Sequence, residues 1–166
     1  SSDVCSSDLM KKLIQIGACV GMDYIWDYFI KHGEYECILI EPNPKAMAIL
    51  KEYYEDMSNI HYETVAISNK SGKQTLFIDN YDKDAHAHGI GASLHASLNI
   101  EHLYGHEHSE DEITSIEVQC VTFEDILKKY QWENEEIDIL QIDTEGHDCD
   151  ILLSINLSKY KINKPT

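Results

Sequence analysis

The sequence predicts an α/β fold: a doubly wound, mostly parallel sheet with helices on both of its faces. Short apolar runs alternate with segments whose apolar residues recur at helical spacing, and this alternation is typical of parallel sheets. The chain has 166 residues, which suits one domain, and 43% of them are hydrophobic, which is enough for a buried core. Ligands of such sheets bind at the carboxyl ends of the strands, so the residues that follow each strand are the candidates for function.

The first half of the chain is predicted to alternate strand and helix. Met22, Ile25, Trp26 and Phe29 fall on one helical face, and Gly33 is a suitable residue to end that helix. In chain order, the predicted elements are a strand at 12–17, a helix at 22–32, a strand at 37–40, a helix at 44–57 that Asn43 caps, and a strand at 60–67.

The second half adds more strands, two helices and a long polar segment. Thr122 and Asp125 resemble a capping box and predict the start of a helix. The segment 79–112 is rich in Gly, His and acidic residues, and we interpret it as an insert that is functional or mobile. The predicted elements here are strands at 74–78, 115–121 and 137–142, and helices at 122–130 and 148–156.

The two ends of the chain are interpreted separately from the fold. Residues 1–9 are polar and low in complexity, and we expect them to be a non-native scar or a disordered tail. The predicted domain spans 10–166. We expect it to be incomplete at its C-terminus, because the sequence ends where another strand would follow.

The composition excludes several kinds of partner. Thirteen Lys and Arg against 30 Asp and Glu give a net charge of −17, so we expect neither nucleic acid nor a membrane surface as a partner. No apolar stretch is long enough to span a membrane, and no signal peptide is recognised. The five cysteines form no CxxC pair, which favours a reducing cytoplasm.

A glycine-containing turn follows the first predicted strand. In a turn such as Gly17-Ala18-Cys19-Val20-Gly21, glycine lets a ligand approach the backbone, and the next helix offers free N–H groups. Tight packing alone is the alternative interpretation. The GxxxG spacing differs from the GxGxxG of dinucleotide sites, which disfavours NAD and FAD.

Acidic residues follow two other predicted strands. Glu41 could accept hydrogen bonds from both hydroxyls of a ribose, although a solvated acid at a strand end is the alternative. Asp143 and Glu145, followed by Gly146, could bind a ligand ammonium group or act as a general base. Their alternative role is to complement the dipole of the next helix.

Histidines are concentrated in the polar segment. Metal ligation is one interpretation, because imidazole is a common ligand. HxH spacings in a loop are weakly specific, so we favour a solvent-exposed or substrate-facing loop and assign no metal. The histidines concerned are His86, His88, His95, His102, His106 and His108.

Five stretches carry a family resemblance: IQIGACVGMD (14–23), LIEPNP (39–44), NIHYETVAIS (59–68), VTFEDIL (121–127) and IDILQIDTEGHDCDIL (137–152). In this order they resemble the FkbM family of methyltransferases over nearly all of the chain after Met10. The IDxEG-type segment is the most specific of them. The sequence departs from the family at Gln15, where relatives have an acidic residue or Asn, and at Gln141, where Lys is frequent.

The resemblance implies a Rossmann-like class I methyltransferase fold with S-adenosylmethionine as its cofactor. Members are similar to O-methyltransferases of sugars and natural products, so a small-molecule or glycan acceptor is expected. The catalytic residues implied are Asp143, Glu145 and His147. The residues implied to contact the cofactor are Gly17, Ala18 and Gly21 at its methionine end, Glu41 at the ribose, Val65 and Ala66 near the adenine, and Asp143 beside the amino group or the methyl-transfer site.

Two other functions stay open at this point. An inactive or truncated nucleotide-binding module would carry the same glycine turn and strand-end acid. An NAD-binding domain is the second alternative, and the spacing of the glycines disfavours it.

Overall fold

The structure, a computed structural model, describes residues 10–21, 24–32, 34–80, 95–104 and 112–163. The predicted tail at 1–9 and four of the six histidines of the polar segment, His86, His88, His106 and His108, lie outside these ranges. The strands described are β1 (Lys11–Ile16), β2 (Tyr35–Ile40), β3 (Ile60–Glu63), β4 (Ala66–Ile67), β5 (Gly72–Asp79), β6 (Ala96–Ser97), β7 (Ile113–Val121), β8 (Glu136–Ile137), β9 (Ile139–Ile142) and β10 (Lys161–Ile162). The helices are α1 (Tyr24–His32), α2 (Pro44–Tyr53), α3 (Ile100–Tyr104), α4 (Phe123–Tyr130) and α5 (Asp148–Ser154).

Four parallel strands form the central sheet, in the order β3-β2-β1-β9. β1 pairs with β2 along its whole length and with β9 from Leu13 to Ile16. The last four residues of both inner strands, β1 and β2, are buried, as expected for strands that are covered on both sides. Their carboxyl ends lie together, since all four strands run in the same direction.

Helices cover both faces of the central sheet. Leu13 and Leu39 pack on one face with Ile30 of α1 and Leu50 of α2. The alternate residues of β1 and β2 pack on the other face with α4 and α5, in a cluster that includes Phe123. The predicted α/β class with parallel strands and flanking helices is therefore confirmed.

Two further groups of strands stand beside the four of the central sheet, so one continuous sheet is not observed. β8, which directly precedes β9 in the chain, pairs in parallel with β10. β4, β7, β5 and β6 form a second, mixed sheet in which β5 is antiparallel to both β7 and β6. The predicted strand at 60–67 divides at Thr64-Val65, because its last two residues leave β2 and pair with β7. The polar segment is also partly regular, since β6 and α3 lie within it and Leu103 is fully buried.

The predicted starts of the helices agree with the structure more closely than their predicted ends. The Asn43 side chain accepts from Lys45 N–H and caps α2, and the capping box of Thr122 and Asp125 opens α4 as predicted. α2 ends at Tyr53 and α5 at Ser154, both earlier than predicted. Among the described residues, no helix is long and apolar enough to cross a membrane.

Candidate active site

The carboxyl ends of β1, β2 and β9 open into a cavity that is partly open to solvent. Its wall comes from three parts of the chain: the ends of β1 and β2, the second sheet, and the loop after β9 with the start of α5. In that order the lining residues are Ile16, Gly17, Cys19, Ile40, Glu41 and Pro42; Val65, Ala66, Ile67, Leu76, Ala96 and Leu98; and Asp143, Thr144, Glu145, His147 and Ile151. A cavity at this edge of a parallel sheet is where such folds bind their ligands.

Glu41 is the most deeply buried acid of the cavity wall. Its side chain is 6% exposed, and each carboxylate oxygen accepts one backbone N–H: Oε2 from Cys19 at 2.9 Å and Oε1 from Asn43 at 2.8 Å. Burial raises the pKa of Glu41 to about 7, although these two N–H groups favour the ionised form and act in the opposite direction. The carboxylate therefore fastens the turn after β1 to the end of β2.

The backbone conformation and its packing require a glycine at position 17. Its φ is +81°, and a Cβ at this position would lie 1.7 Å from the carbonyl oxygen of Asp143. The turn can therefore lie against the end of β9 only if residue 17 has no side chain. This packing role is the alternative that the sequence left open, and Gly17 also lines the cavity.

The other small residues of the turn face the interior. Ala18 is 3% exposed and belongs to the core on the α1 and α2 side. Gly21 has φ +79°, and a Cβ there would meet Leu50 and Tyr54. Neither Ala18 nor Gly21 lines the cavity. Cys19 does line it, although the sequence analysis did not single it out as a site residue.

The second sheet gives the cavity an apolar side. Val65 and Ala66 stand where the chain passes from β3 to β4, and both line the cavity. Leu76 of β5 and Leu98, just after β6, lie in the same wall. The described part of the polar segment thus contributes Ala96 and Leu98 to the cavity wall.

The loop after β9 is held in an unusual backbone conformation. Glu145 and Gly146 have positive φ angles of 52° and 95°. Ser97 Oγ donates to the Glu145 carbonyl oxygen at 2.6 Å, and His102 Nε2 lies 3.0 Å from Glu145 Oε2. Gly146 must lack a side chain, because a Cβ would lie 2.6 Å from the His102 ring. The polar segment therefore fixes the position of the Glu145 carboxylate.

The acidic residues in the loop before α5 and at the start of this helix make different contacts. Asp148 Oδ1 accepts from both the N–H and the hydroxyl of Thr144, at 2.6 and 3.0 Å, and so closes the loop onto the helix. Asp143 is exposed and lines the cavity. Asp148, rather than Asp143 or Glu145, therefore joins the loop to the helix.

His147 has one ring nitrogen engaged and one without a partner. Nδ1 lies 3.3 Å from Oδ2 of Asp150, three residues further along the chain. Nε2 is buried and has no hydrogen-bond partner among the described residues. The ring lines the cavity.

Seven of the nine predicted site residues lie in the cavity wall: Gly17, Glu41, Val65, Ala66, Asp143, Glu145 and His147. Their roles toward a cofactor or substrate stay predictions. Sequence reasoning missed Ser97 and gave His102 no role in the site, because their contacts with Glu145 depend on tertiary structure. It also missed Asp150, although its contact with His147 is local in the chain. Within the described residues, no group of three or more His, Cys, Asp or Glu side chains is arranged to hold a metal ion.

The fold and this cavity together define an α/β domain whose site lies at the carboxyl ends of its parallel strands. The family model described as Methyltransferase FkbM domain matches residues 15–164, and the chain therefore belongs to the FkbM methyltransferase family. The family predicted from the sequence motifs is confirmed. No match was found among curated proteins or among solved structures.

Proposed function

We propose that the protein is an S-adenosylmethionine-dependent O-methyltransferase that acts on a hydroxyl group of a sugar or natural product. The cofactor assignment rests on the position of Glu41, a buried carboxylate at the end of β2 in the cavity wall. The family supports methyl transfer, and the cavity supports a nucleoside-containing methyl donor.

The residues present fit such a cofactor. Each oxygen of the Glu41 carboxylate accepts one N–H and retains further acceptor capacity, which suits the two hydroxyl donors of a ribose. Burial raises the pKa of Glu41, because two N–H groups do not replace the water that a carboxylate would otherwise bind. The ligand-free site therefore lacks further hydrogen-bond donors to this carboxylate. Hydroxyl donors from a ribose would supply them and favour the ionised form.

The surroundings of Glu41 suit the other parts of the cofactor. Val65 and Ala66 offer an apolar surface for the adenine, and Gly17 is next to Asp143 at the polar end. Acidic residues at that end favour a ligand that carries an ammonium group and a sulfonium. When bound, the cofactor supplies an electrophilic methyl group, and the protein's contribution is to align the acceptor oxygen with it and to remove the hydroxyl proton.

Calorimetric titration of the protein with S-adenosylmethionine tests the cofactor assignment, with NAD as the competing ligand. We expect binding of S-adenosylmethionine alone. The variant Glu41→Gln should weaken binding by about 10- to 100-fold, since hydrogen bonds to a charged group contribute about 1.5–3 kcal/mol each. Glu52→Gln, on an exposed position of α2, is the matched control. Binding of NAD, or equal affinity in all three proteins, would contradict the assignment.

The acceptor class is tested separately. Transfer of a labelled methyl group to a panel of glycan and polyketide hydroxyls should identify substrates. The net charge of −17 disfavours nucleic acid, so tRNA and DNA serve as negative controls. Transfer to nucleic acid or to amines only would refute O-methylation of small molecules and glycans.

A further inference from the structure

Glu145 is held by two residues of the polar segment that no sequence motif marks. Ser97 Oγ donates to its backbone carbonyl oxygen at 2.6 Å, and His102 Nε2 lies 3.0 Å from its carboxylate oxygen Oε2. We propose that His102 is a positioning residue, which holds the Glu145 carboxylate where it binds the hydroxyl group of the methyl acceptor. This inference rests on the proposed function and assigns the acceptor side of the site to the polar segment.

The protein uses only part of the Glu145 carboxylate. A carboxylate accepts hydrogen bonds and cannot donate them, so the His102 nitrogen that faces it is favoured as an N–H. Among the described residues, the second oxygen, Oε1, has no hydrogen-bond partner and is not buried. The side chain is 34% exposed, and Glu145 lines the cavity. One oxygen is therefore fixed by His102, and the other can accept a hydrogen bond from a ligand.

The loop after β9 contacts two different parts of the cavity wall. At the start of the loop, the Asp143 carbonyl oxygen lies against Gly17 of the glycine turn, beside the proposed cofactor. Two residues further on, Glu145 contacts Ser97 and His102 instead. Asp143 is thus the acid on the cofactor side, and Glu145 is the acid on the side of the polar segment.

The same part of the polar segment offers a surface for the acceptor itself. Ala96 and Leu98, on either side of Ser97 in the chain, both line the cavity. Since Ser97 is bonded to Glu145, these two apolar residues lie close to the acid. An acceptor whose hydroxyl group meets Glu145 can therefore rest its carbon skeleton on Ala96 and Leu98.

His102 also packs on the loop, and this second role can be separated from the first. A Cβ at Gly146 would lie 2.6 Å from the His102 ring, so the ring rests directly on that glycine. His102→Phe keeps an aromatic ring and removes the N–H, whereas His102→Gln loses the ring and keeps an N–H donor. The matched control is His61→Phe, because His61 Nε2 lies 2.9 Å from Glu36 Oε1 and neither residue lines the cavity.

Kinetics with a hydroxyl acceptor identified by the panel compare these variants. His102→Phe should lower kcat/KM for the acceptor by about 10-fold, because the carboxylate is no longer held in place. His102→Gln should restore it to within about 3-fold of wild type, and Glu145→Ala should lower it by about 100-fold. Calorimetric affinity for S-adenosylmethionine should stay within about 3-fold of wild type in all three variants, and His61→Phe should behave as wild type.

The hydrogen bond between His102 and Glu145 can be tested without an acceptor. Long-range ¹H–¹⁵N NMR of the wild-type protein should show a His102 Nε2–H proton that exchanges slowly with water, assigned by its loss in His102→Phe. In Glu145→Ala this proton should exchange rapidly. If it exchanges as fast in the wild-type protein, His102 does not hold the carboxylate and the proposal is overturned.

The kinetic outcomes separate the two levels of the argument. Wild-type kcat/KM in His102→Phe together with a loss in His102→Gln would show that the ring only packs, which overturns the proposal. Loss of cofactor affinity in Glu145→Ala would also overturn it, because the acid would then serve the cofactor. Failure of the wild-type protein to bind S-adenosylmethionine refutes the proposed function itself.

Discussion

The buried carboxylate of Glu41 should make the ligand-free protein less stable as the pH rises to neutrality. In the folded protein its pKa is raised to about 7, mainly because burial penalises the charged form, against an ordinary value of 4.5. The folded state therefore binds this proton more tightly than the unfolded chain does. Stability falls with pH wherever the folded state holds more protons than the unfolded state.

The size and the pH range of the effect follow from the two pKa values. Below pH 4.5 Glu41 is protonated in both states, and its full stabilising contribution is present. Between pH 4.5 and about 7 the unfolded chain releases the proton first, so stability is lost progressively, and above about 7 the loss is complete. At about 1.4 kcal/mol for each pH unit between the two values, the loss amounts to roughly 3 kcal/mol.

Urea unfolding at a series of pH values measures this contribution. Many other groups titrate in the same range, so the quantity to follow is the difference in unfolding free energy between wild type and Glu41→Gln, which has no proton to release. Relative to Glu41→Gln, the wild-type protein should lose roughly 3 kcal/mol of unfolding free energy from acidic to neutral pH. At higher pH the difference between the two proteins should be constant. The control Glu52→Gln should give a flat difference. Parallel curves for wild type and Glu41→Gln would refute the reasoning.

Substitutions at four further positions, Gly17, Gln15, Gln141 and Ser97, test contacts around the site, each by urea unfolding. Gly17→Ala should destabilise the protein by at least about 3 kcal/mol, because the added Cβ would clash with the end of β9. Gly72 also has a positive φ but no atom near its Cβ position, so Gly72→Ala should cost only about 1 kcal/mol. Equal losses of stability would contradict the clash. Gln15 and Gln141 are buried and stand opposite each other in the pairing of β1 with β9. Gln15→Asp and Gln141→Lys should each cost about 3 kcal/mol or more, and the double variant should cost less than their sum. Simple additivity would contradict a contact between the two side chains. Ser97→Ala should cost about 1 kcal/mol and raise hydrogen exchange in the loop after β9; unchanged exchange would contradict its role as a tether.

Local sequence signals predicted those parts of the structure that depend on neighbouring residues. The caps at Asn43 and Thr122 depend on contacts within three residues, and both are observed as predicted. Glu41 was predicted at a strand end because a short apolar run precedes it directly. Its position in the cavity wall follows from the parallel direction of the strands.

The parts that sequence reasoning missed depend on contacts between distant segments. The contacts of Ser97 and His102 with Glu145 span 48 and 43 positions, and no periodicity or spacing reports such pairs. The departure of β4 from the central sheet was missed for the same reason, since its partner β7 lies far along the chain. Gly17 was identified, but the neighbour that requires it, Asp143, could be known only from the fold.

The register of the central sheet brings together the two positions at which the sequence departs from the family pattern. Gln15 and Gln141 are opposite each other in the pairing of β1 with β9, and both are buried, at 4% and 6% exposure. Relatives often carry an acidic residue or Asn at the first position and Lys at the second. A buried charge that loses its partner costs several kcal/mol, so an opposed pair can become neutral only if both members change. The two glutamines therefore place polar side chains beneath the glycine turn without a buried ion pair.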